Sequence, residues 1–505
     1  MIPADLQEAF DAYERALAAD DVAALDDAFA PGPDTLRGDS SGLLVGHDAI
    51  SAFRGARGGI SPRVLDHVES RRLADDCWLI VATSRYDGGG TGLQTQVWQR
   101  ADGRWRITAA HVTGRTPSFD RSVWRTVGDP LYQGAFEGPL LGLRVAVKDV
   151  FAVRGYRIGA GNPTWLRGAA PERQHAPVVL DLLKGGASVR GLARTDELAY
   201  SIAGTNPHYG TPANGALPGA LPGGSSSGPA TAVATGQADV GLASDTGGSI
   251  RVPASYQGLW GLRTTHGLVP RQGMVPLAPS FDTVGWLTRD GATLEAVAAW
   301  CLEDDAPLLP ARRVVPVEVL QLVEPATREA YEAWAGGTVE EVEVGPLDEW
   351  SEAFRVVQAA EAWRAHGAWL TEHPDAVGGA VRERFALAGE VTADEEAAAR
   401  AQVERLAQVI RAIADDAVIV LPTTPGPAPA RTASAEEVDG VRAATLRMTA
   451  LAGVGGLPAL SVPALRYPSA LGPAPVGVCF VGPRGTDLSL VRHARSAVLS
   501  SGGPA

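Results

Sequence analysis

Residues 222–270 read PGGSSSGPATAVATGQADVGLASDTGGSIRVPASYQGLWGLRTTHGLVP. Two turns rich in glycine and serine, 223–227 and 247–249, flank a run of small residues and a short apolar segment. Pro229 suits the first turn of a helix, and the body that follows, ATAVAT, carries side chains small enough for close packing. Asp239–Ala243 then reads as a buried strand. A strand that ends in Gly247-Gly248 lets successive backbone N–H groups converge on one point, the geometry of an oxyanion hole. Ser249 follows directly, so a hydroxyl stands beside those donors, as acyl transfer requires.

A serine hydroxyl needs a base, and the stretch offers no placed histidine. His266 follows the strand-like LWGLRTT, and nothing in the sequence fixes its position. Upstream, GLRVAVKD (142–149) puts Lys148 at the end of an apolar strand. Period-two alternation places it on the face of Ala146 and Arg144, opposite Val145 and Val147. A lysine buried without a carboxylate partner loses solvation and its pKa falls, so the neutral amine can serve as a base. No Gly-Lys-Ser/Thr follows the glycines, which excludes a P-loop, and an enzyme of the G-x-S-x-G nucleophile-elbow type would also need a catalytic histidine and acid.

Outward from this region the pattern is βαβ-like. LRVAVKDVF (143–151), ASVRGLA (187–193), ADVGLAS (238–244) and AVIVLPTTP (417–425) read as buried strands. VVLDLLKGGA (178–187) and ATLEAVAAWCLEDD (292–305) read as helices between them. Residues 140–505 are therefore expected to form an α/β domain with a mixed, largely parallel core sheet covered by helices. Residues 1–115 read as a separate α+β unit. It has helices near 4–19 and 21–29, a third in GHDAISAFRGAR (46–57), then strands at 63–72, 77–87 and 92–113. The last run carries Ala101-Asp102-Gly103 between alternating apolar residues, a hairpin signal. Residues 116–139 read as a connector.

The net charge of −14 argues against nucleic acid or anionic membrane as a partner. Cys77, Cys301 and Cys479 are few, odd in number and far apart, which points to a reducing compartment rather than a disulfide framework. With no basic n-region and no run of about 18 apolar residues, the chain is expected to be cytoplasmic.

Several motifs in a fixed order resemble the amidase signature family. They are VAVKD (145–149), GNPTWLR (161–167), ELAYSIAGTNPHYGTPANG (197–215), GGSSSG, DTGGSIRVPAS, LAPSFDTVGWLTRD (277–290), VLPTTPGPAP (420–429) and GVGGLPALSVPA (453–464). The phrases GNPTWL, YSIAGTNPHYGTP and SFDTVGW are most similar to the branch that includes indole-3-acetamide hydrolases. The resemblance implies Lys148 as base, Ser225 as bridging serine on a cis peptide, and Ser249 as nucleophile. It also implies an oxyanion hole of the N–H groups of Thr246, Gly247, Gly248 and Ser249, with Asp245, Arg251 and Ser226 supporting the loop. The substrate implied is a small carboxamide, with neither metal nor organic cofactor. Trp165, Asn206, His208, Tyr209 and Trp286 are candidates for the substrate pocket.

Gly46-His47-Asp48-Ala49-Ile50 and WRITAAHV (105–112) resemble the cone-shaped SnoaL-like (nuclear-transport-factor-2-like) superfamily, in the form associated with cyanuric-acid-pathway amidases. This implies a module for dimerisation, so a homodimer through residues 1–115 is expected. Two other readings stay open at this point. One is a partner-dependent, ammonia-releasing amidotransferase-type subunit. The other is a hydrolase of ureido or carbamoyl compounds whose N-terminal domain acts in an adjacent step.

Overall fold

The structure is a computed structural model, described over residues 2–19, 21–39, 42–57, 63–86, 91–113, 119–302 and 307–500. The chain divides into two compact units, Met1–Phe119 and Asp120–Ala505.

The first unit sets helices Ala4–Ala19, Val22–Asp27 and His47–Arg57 against one sheet. Its strands are β1 (Leu36–Asp39), β2 (Gly42–Val45), β3 (Arg63–Ala74), β4 (Cys77–Tyr86), β5 (Thr91–Ala101) and β6 (Arg104–Thr113), in the order β2-β1-β6-β5-β4-β3. Leu6, Phe10 and Tyr13 recur at helical spacing and bury one face of the first helix against Trp98 and Ile107. On β4, Trp78, Ile80, Ala82 and Ser84 alternate inward. Asp102 and Gly103 both adopt positive φ, 51° and 75°, and join Ala101 to its cross-strand partner Arg104. That is the two-residue turn whose twist matches the flanking strands.

The second unit is built on β7 (Trp124–Tyr132), β8 (Arg144–Lys148), β9 (Ser188–Ala193), β10 (Val240–Asp245), β11 (Trp260–Arg263), β12 (Thr283–Thr288), β13 (Arg313–Pro316), β14 (Glu340–Val342), β15 (Val418–Pro422), β16 (Ala459–Ser469) and β17 (Gly472–Val481). They form one sheet in the order β14-β13-β15-β17-β16-β11-β12-β10-β8-β9-β7. The sheet is mixed, but "largely parallel" needs correction. Among the described residues only β8/β9, β8/β10, β13/β14 and β13/β15 pair in parallel, and the other six pairings are antiparallel. The reason lies in the connections. β16 and β17 are joined by a tight turn at 470–471, and β12 turns back between β10 and β11. The β16–β17 turn lacks the length a parallel crossover requires, whereas β12 follows the longer connection 264–282 and its direction is set by packing between β10 and β11.

The expected connector also changes. Residues 124–132 of it are β7, an edge strand paired antiparallel to β9, and the boundary between units falls at 119/120. Residues 114–118 lie outside the described residues. Gly128 and Pro130 interrupt the strand pattern of β7 in the sequence, and an edge position tolerates both.

Both faces of the sheet are covered near its centre. Every residue of β10 is buried, and so are Val145, Ala146, Val147 and Lys148. The small-residue helix Ser227–Ala234 lies across β8 and β10. A Cβ on Gly228 would collide with the Arg194 carbonyl, and one on Gly241 would sit 3.2 Å from Pro229. Close approach of helix and sheet is thus what the run of small residues provides. No helix among the described residues is long and apolar enough to cross a membrane.

Candidate active site

β8 and β10 are adjacent and parallel, so their carboxyl ends lie side by side. This is the edge of an α/β sheet where ligands bind. Lys148 ends β8. Ser249 sits in the turn after β10, and Ser225 in the turn before helix Ser227–Ala234. Tertiary structure brings the three together. Lys148 Nζ lies 2.8 Å from Ser225 Oγ, and Ser225 Oγ lies 3.0 Å from Ser249 Oγ. All three residues are buried, Ser249 least so at 4% exposure.

Lys148 Nζ also reaches Ser244 Oγ at 2.9 Å. It has no carboxylate within ion-pair distance among the described residues. Burial pushes its pKa down to about 7, and the charges of Asp196, Asp245 and Asp282 oppose that only in part. The Ser225 turn is held from behind. Its carbonyl accepts from the Thr195 hydroxyl at 3.0 Å and the Asp196 N–H at 3.1 Å, and the Gly224–Ser225 peptide is cis. Asp196 accepts from the Ser227 hydroxyl at 2.9 Å and the Gly204 N–H at 2.9 Å. A Cβ on Gly224 would collide with its carboxylate.

The turn carrying Ser249 is organised by Asp245. Its carboxylate accepts the N–H groups of Gly248 and Ile250, each at 3.0 Å, and pairs with Arg251 at 2.9 Å and Arg263 at 3.0 Å. Burial alone would raise this carboxyl, but Arg251 and Arg263 more than offset it and hold it well below the usual carboxylate range. Ser226 ties the two turns together, its N–H donating to the Ser249 carbonyl at 3.3 Å and its hydroxyl to the Ser244 carbonyl at 3.3 Å.

One expectation changes here. Gly248 gives its N–H to the Asp245 carboxylate at 3.0 Å, a contact between residues three apart in the same turn. It is therefore not available as an oxyanion donor. Asp245→Ala is expected to destabilise this unit by about 3–5 kcal/mol, because it strands two buried guanidinium groups. A urea-unfolding midpoint followed by tryptophan fluorescence, unchanged from wild type, would rule that out.

Residues 129–491 match the Amidase family. The chain belongs to the amidase family. Residues 1–116 match the AtzH-like family. Among relatives of this amidase, Amidase 1 of Arabidopsis thaliana is 35% identical over 70% of this chain and 92% of its own. Indoleacetamide hydrolase of Pseudomonas savastanoi is 41% identical over 30% of this chain and 33% of its own. A crystal structure of an amidase superposes with a TM-score of 0.67 at 27% identity, covering 75% of this chain and 92% of that one.

The five pocket candidates of the amidase fare unevenly. Trp165 lines a cleft of 920 Å³ together with Trp369, His373 and His175, and packs edge-on to Trp369 with centroids 5.1 Å apart. The other four have their own structural engagements. Trp286 is fully buried in the core on β12, where both sheet faces are covered. Asn206 spends its amide on the Gly161 and Thr195 carbonyls and its oxygen on the N–H groups of His208 and Tyr209. His208 pairs with the buried Glu197. Tyr209 stacks under the Arg194 guanidinium. Polar and aromatic loop residues look alike in sequence whether they face a ligand or staple a loop.

Arg263, Ser244, Asp196 and Thr449 escaped the sequence reading. The Thr449 hydroxyl, on helix Ala435–Gly455, reaches the Thr445 carbonyl of its own helix at 3.0 Å and the Gly247 carbonyl at 2.8 Å. Only Arg263, a lone charge closing the apolar WGLR, carried a local signal.

Proposed function

We propose that this amidase cleaves a small carboxamide to a carboxylate and ammonia or an amine through an acyl-enzyme on Ser249. The observation that carries the reading is the continuous chain Lys148–Ser225–Ser249, with contacts of 2.8 and 3.0 Å and a buried lysine whose pKa lies at about 7. With the lysine neutral, the Ser225 hydroxyl donates to Nζ and the Ser249 hydroxyl donates to Ser225 Oγ. Ser249 Oγ attacks the amide carbon while its proton moves to Ser225 and that of Ser225 to Lys148. The developing oxyanion faces the N–H groups of Thr246, Gly247 and Ser249. Lys148 returns the proton through the same relay to the leaving nitrogen, the C–N bond breaks, and an ester remains on Ser249. Water then adds to the ester carbon, with the relay again taking the proton, the bond from that carbon to Ser249 Oγ breaks as the relay returns the proton to Oγ, and the carboxylate leaves.

Since kcat/KM reports the free enzyme, it is expected to rise with pH through about 7 as Lys148 loses its proton. Ammonia release from primary amides, measured from pH 5 to 9, reads this directly. A rate that falls through pH 7, or a folded protein that releases ammonia from none of them, would overturn the reading.

A further inference from the structure

A second, smaller cavity of 260 Å³ is lined by Tyr200, Phe354, Gln358, Arg384, Arg442 and Leu446, among others. Phe354 and Leu446 are also the side chains against Gly247. A Cβ built on Gly247 would lie 3.1 Å from Leu446 Cδ2 and 3.3 Å from Phe354 Cζ. The cavity and the turn that carries Ser249 therefore share a wall. Its volume falls below the roughly 300–1,000 Å³ of sites for drug-sized ligands, so its occupant is small.

The charge around this cavity runs against the chain. The protein carries −14 overall, yet four arginines and one carboxylate, Glu352, line the space. Two of the arginines are satisfied elsewhere. Arg355 pairs with Glu352 at 2.6 Å, and Arg447 pairs with Asp348 at 2.5 Å. Arg384 donates to the Tyr200 carbonyl at 2.8 Å and keeps a loose approach of 3.9 Å to the exposed Asp439. Arg442 differs from all of these. Its Nε is shielded from solvent and has no hydrogen-bond partner, and no ion pair reaches it among the described residues. Burial, together with the like charge of Arg384, pushes its pKa down to about 10, so it stays cationic at neutral pH. A guanidinium held in this way offers a planar fork that a carboxylate fits with two parallel hydrogen bonds.

We propose that the Ser249 site takes small carboxamides that also bear a carboxylate, and that Arg442, with Arg384 beside it, binds that carboxylate. The inference rests on Ser249 as the nucleophile. The amide end then lies toward the Gly247 turn and the acid end toward the arginine pair, which fixes which carbonyl is cleaved.

Calorimetric titration of the full chain carrying Ser249→Ala tests this without turnover. The probes are malonamate and succinamate, set against their uncharged diamides. The amide acids are expected to bind at least ~10-fold more tightly than the diamides. Adding Arg442→Gln is expected to weaken acid binding by about 10–100-fold and to leave diamide binding within about two-fold. Arg442→Lys restores part of the loss, which a merely structural arginine would not require. The comparison of acids with diamides in the parent protein stands even where a variant misfolds. Equal affinity for acids and diamides, an equal loss of both in Arg442→Gln, or no binding of either acid would overturn the proposal. Ammonia release by the protein with Ser249 intact is read separately. Its absence beside a retained preference for acids would strike the nucleophile and spare the arginine seat.

Discussion

Ser249→Ala is expected to reduce amide hydrolysis by roughly 10⁴–10⁶ in kcat, the scale of losing a nucleophile whose relay acts as a unit. The substitution removes one oxygen from a buried turn. It leaves in place the Asp245 carboxylate, which fixes the path of that turn through Gly248, Ile250, Arg251 and Arg263. The Ser225 hydroxyl keeps its contact with Lys148. Stability is therefore expected to shift by no more than about 1 kcal/mol, the scale of one hydrogen bond. Ammonia release and the urea midpoint, measured on the same preparation, separate chemistry from folding. A variant that folds and keeps more than a hundredth of the wild-type rate would remove Ser249 from the nucleophile's role.

Lys148→Met tests the other end of the relay. Methionine fills a similar volume with an unbranched chain but supplies no base. The rate is expected to fall roughly 10²–10⁴-fold, the usual worth of general acid–base catalysis. The rising limb near pH 7 should disappear with it, because no other group in the relay titrates there. The fold should hold equally well or better. Lys148 is fully buried without an ion-pair partner, so the substitution strands no carboxylate. Asp196 and Asp245, whose charges act on it, have hydrogen bonds of their own. Loss of activity with the limb still present would mean that another group is the base.

The local backbone settings of the site were legible in the sequence because they are local. Gly247-Gly248-Ser249, GGSSSG and the lysine closing VAVK each lie within a few residues, and backbone rules suffice to read a turn, a small-residue helix or a strand end. The hairpin at Asp102-Gly103 was legible for the same reason. Strand direction was not. A βαβ rhythm suggests parallel pairing, but whether a strand turns back depends on which neighbour it meets. β12 entering antiparallel between β10 and β11 is a choice of packing, not of composition.

The site divides along the same line. Sequence by itself determined the residue types and their backbone settings: a serine after two glycines, a serine-rich turn before a helix, and a lysine at a strand end. Tertiary structure alone decided that β8 lies beside β10, which brings Lys148 within 2.8 Å of Ser225. It placed Arg263 against Asp245, and it left the Arg442 Nε without a hydrogen-bond partner among the described residues. Turns and strand ends follow from torsion angles that each residue carries with it. Partners separated by scores of residues follow only from which surfaces pack together, and no short stretch of sequence encodes that.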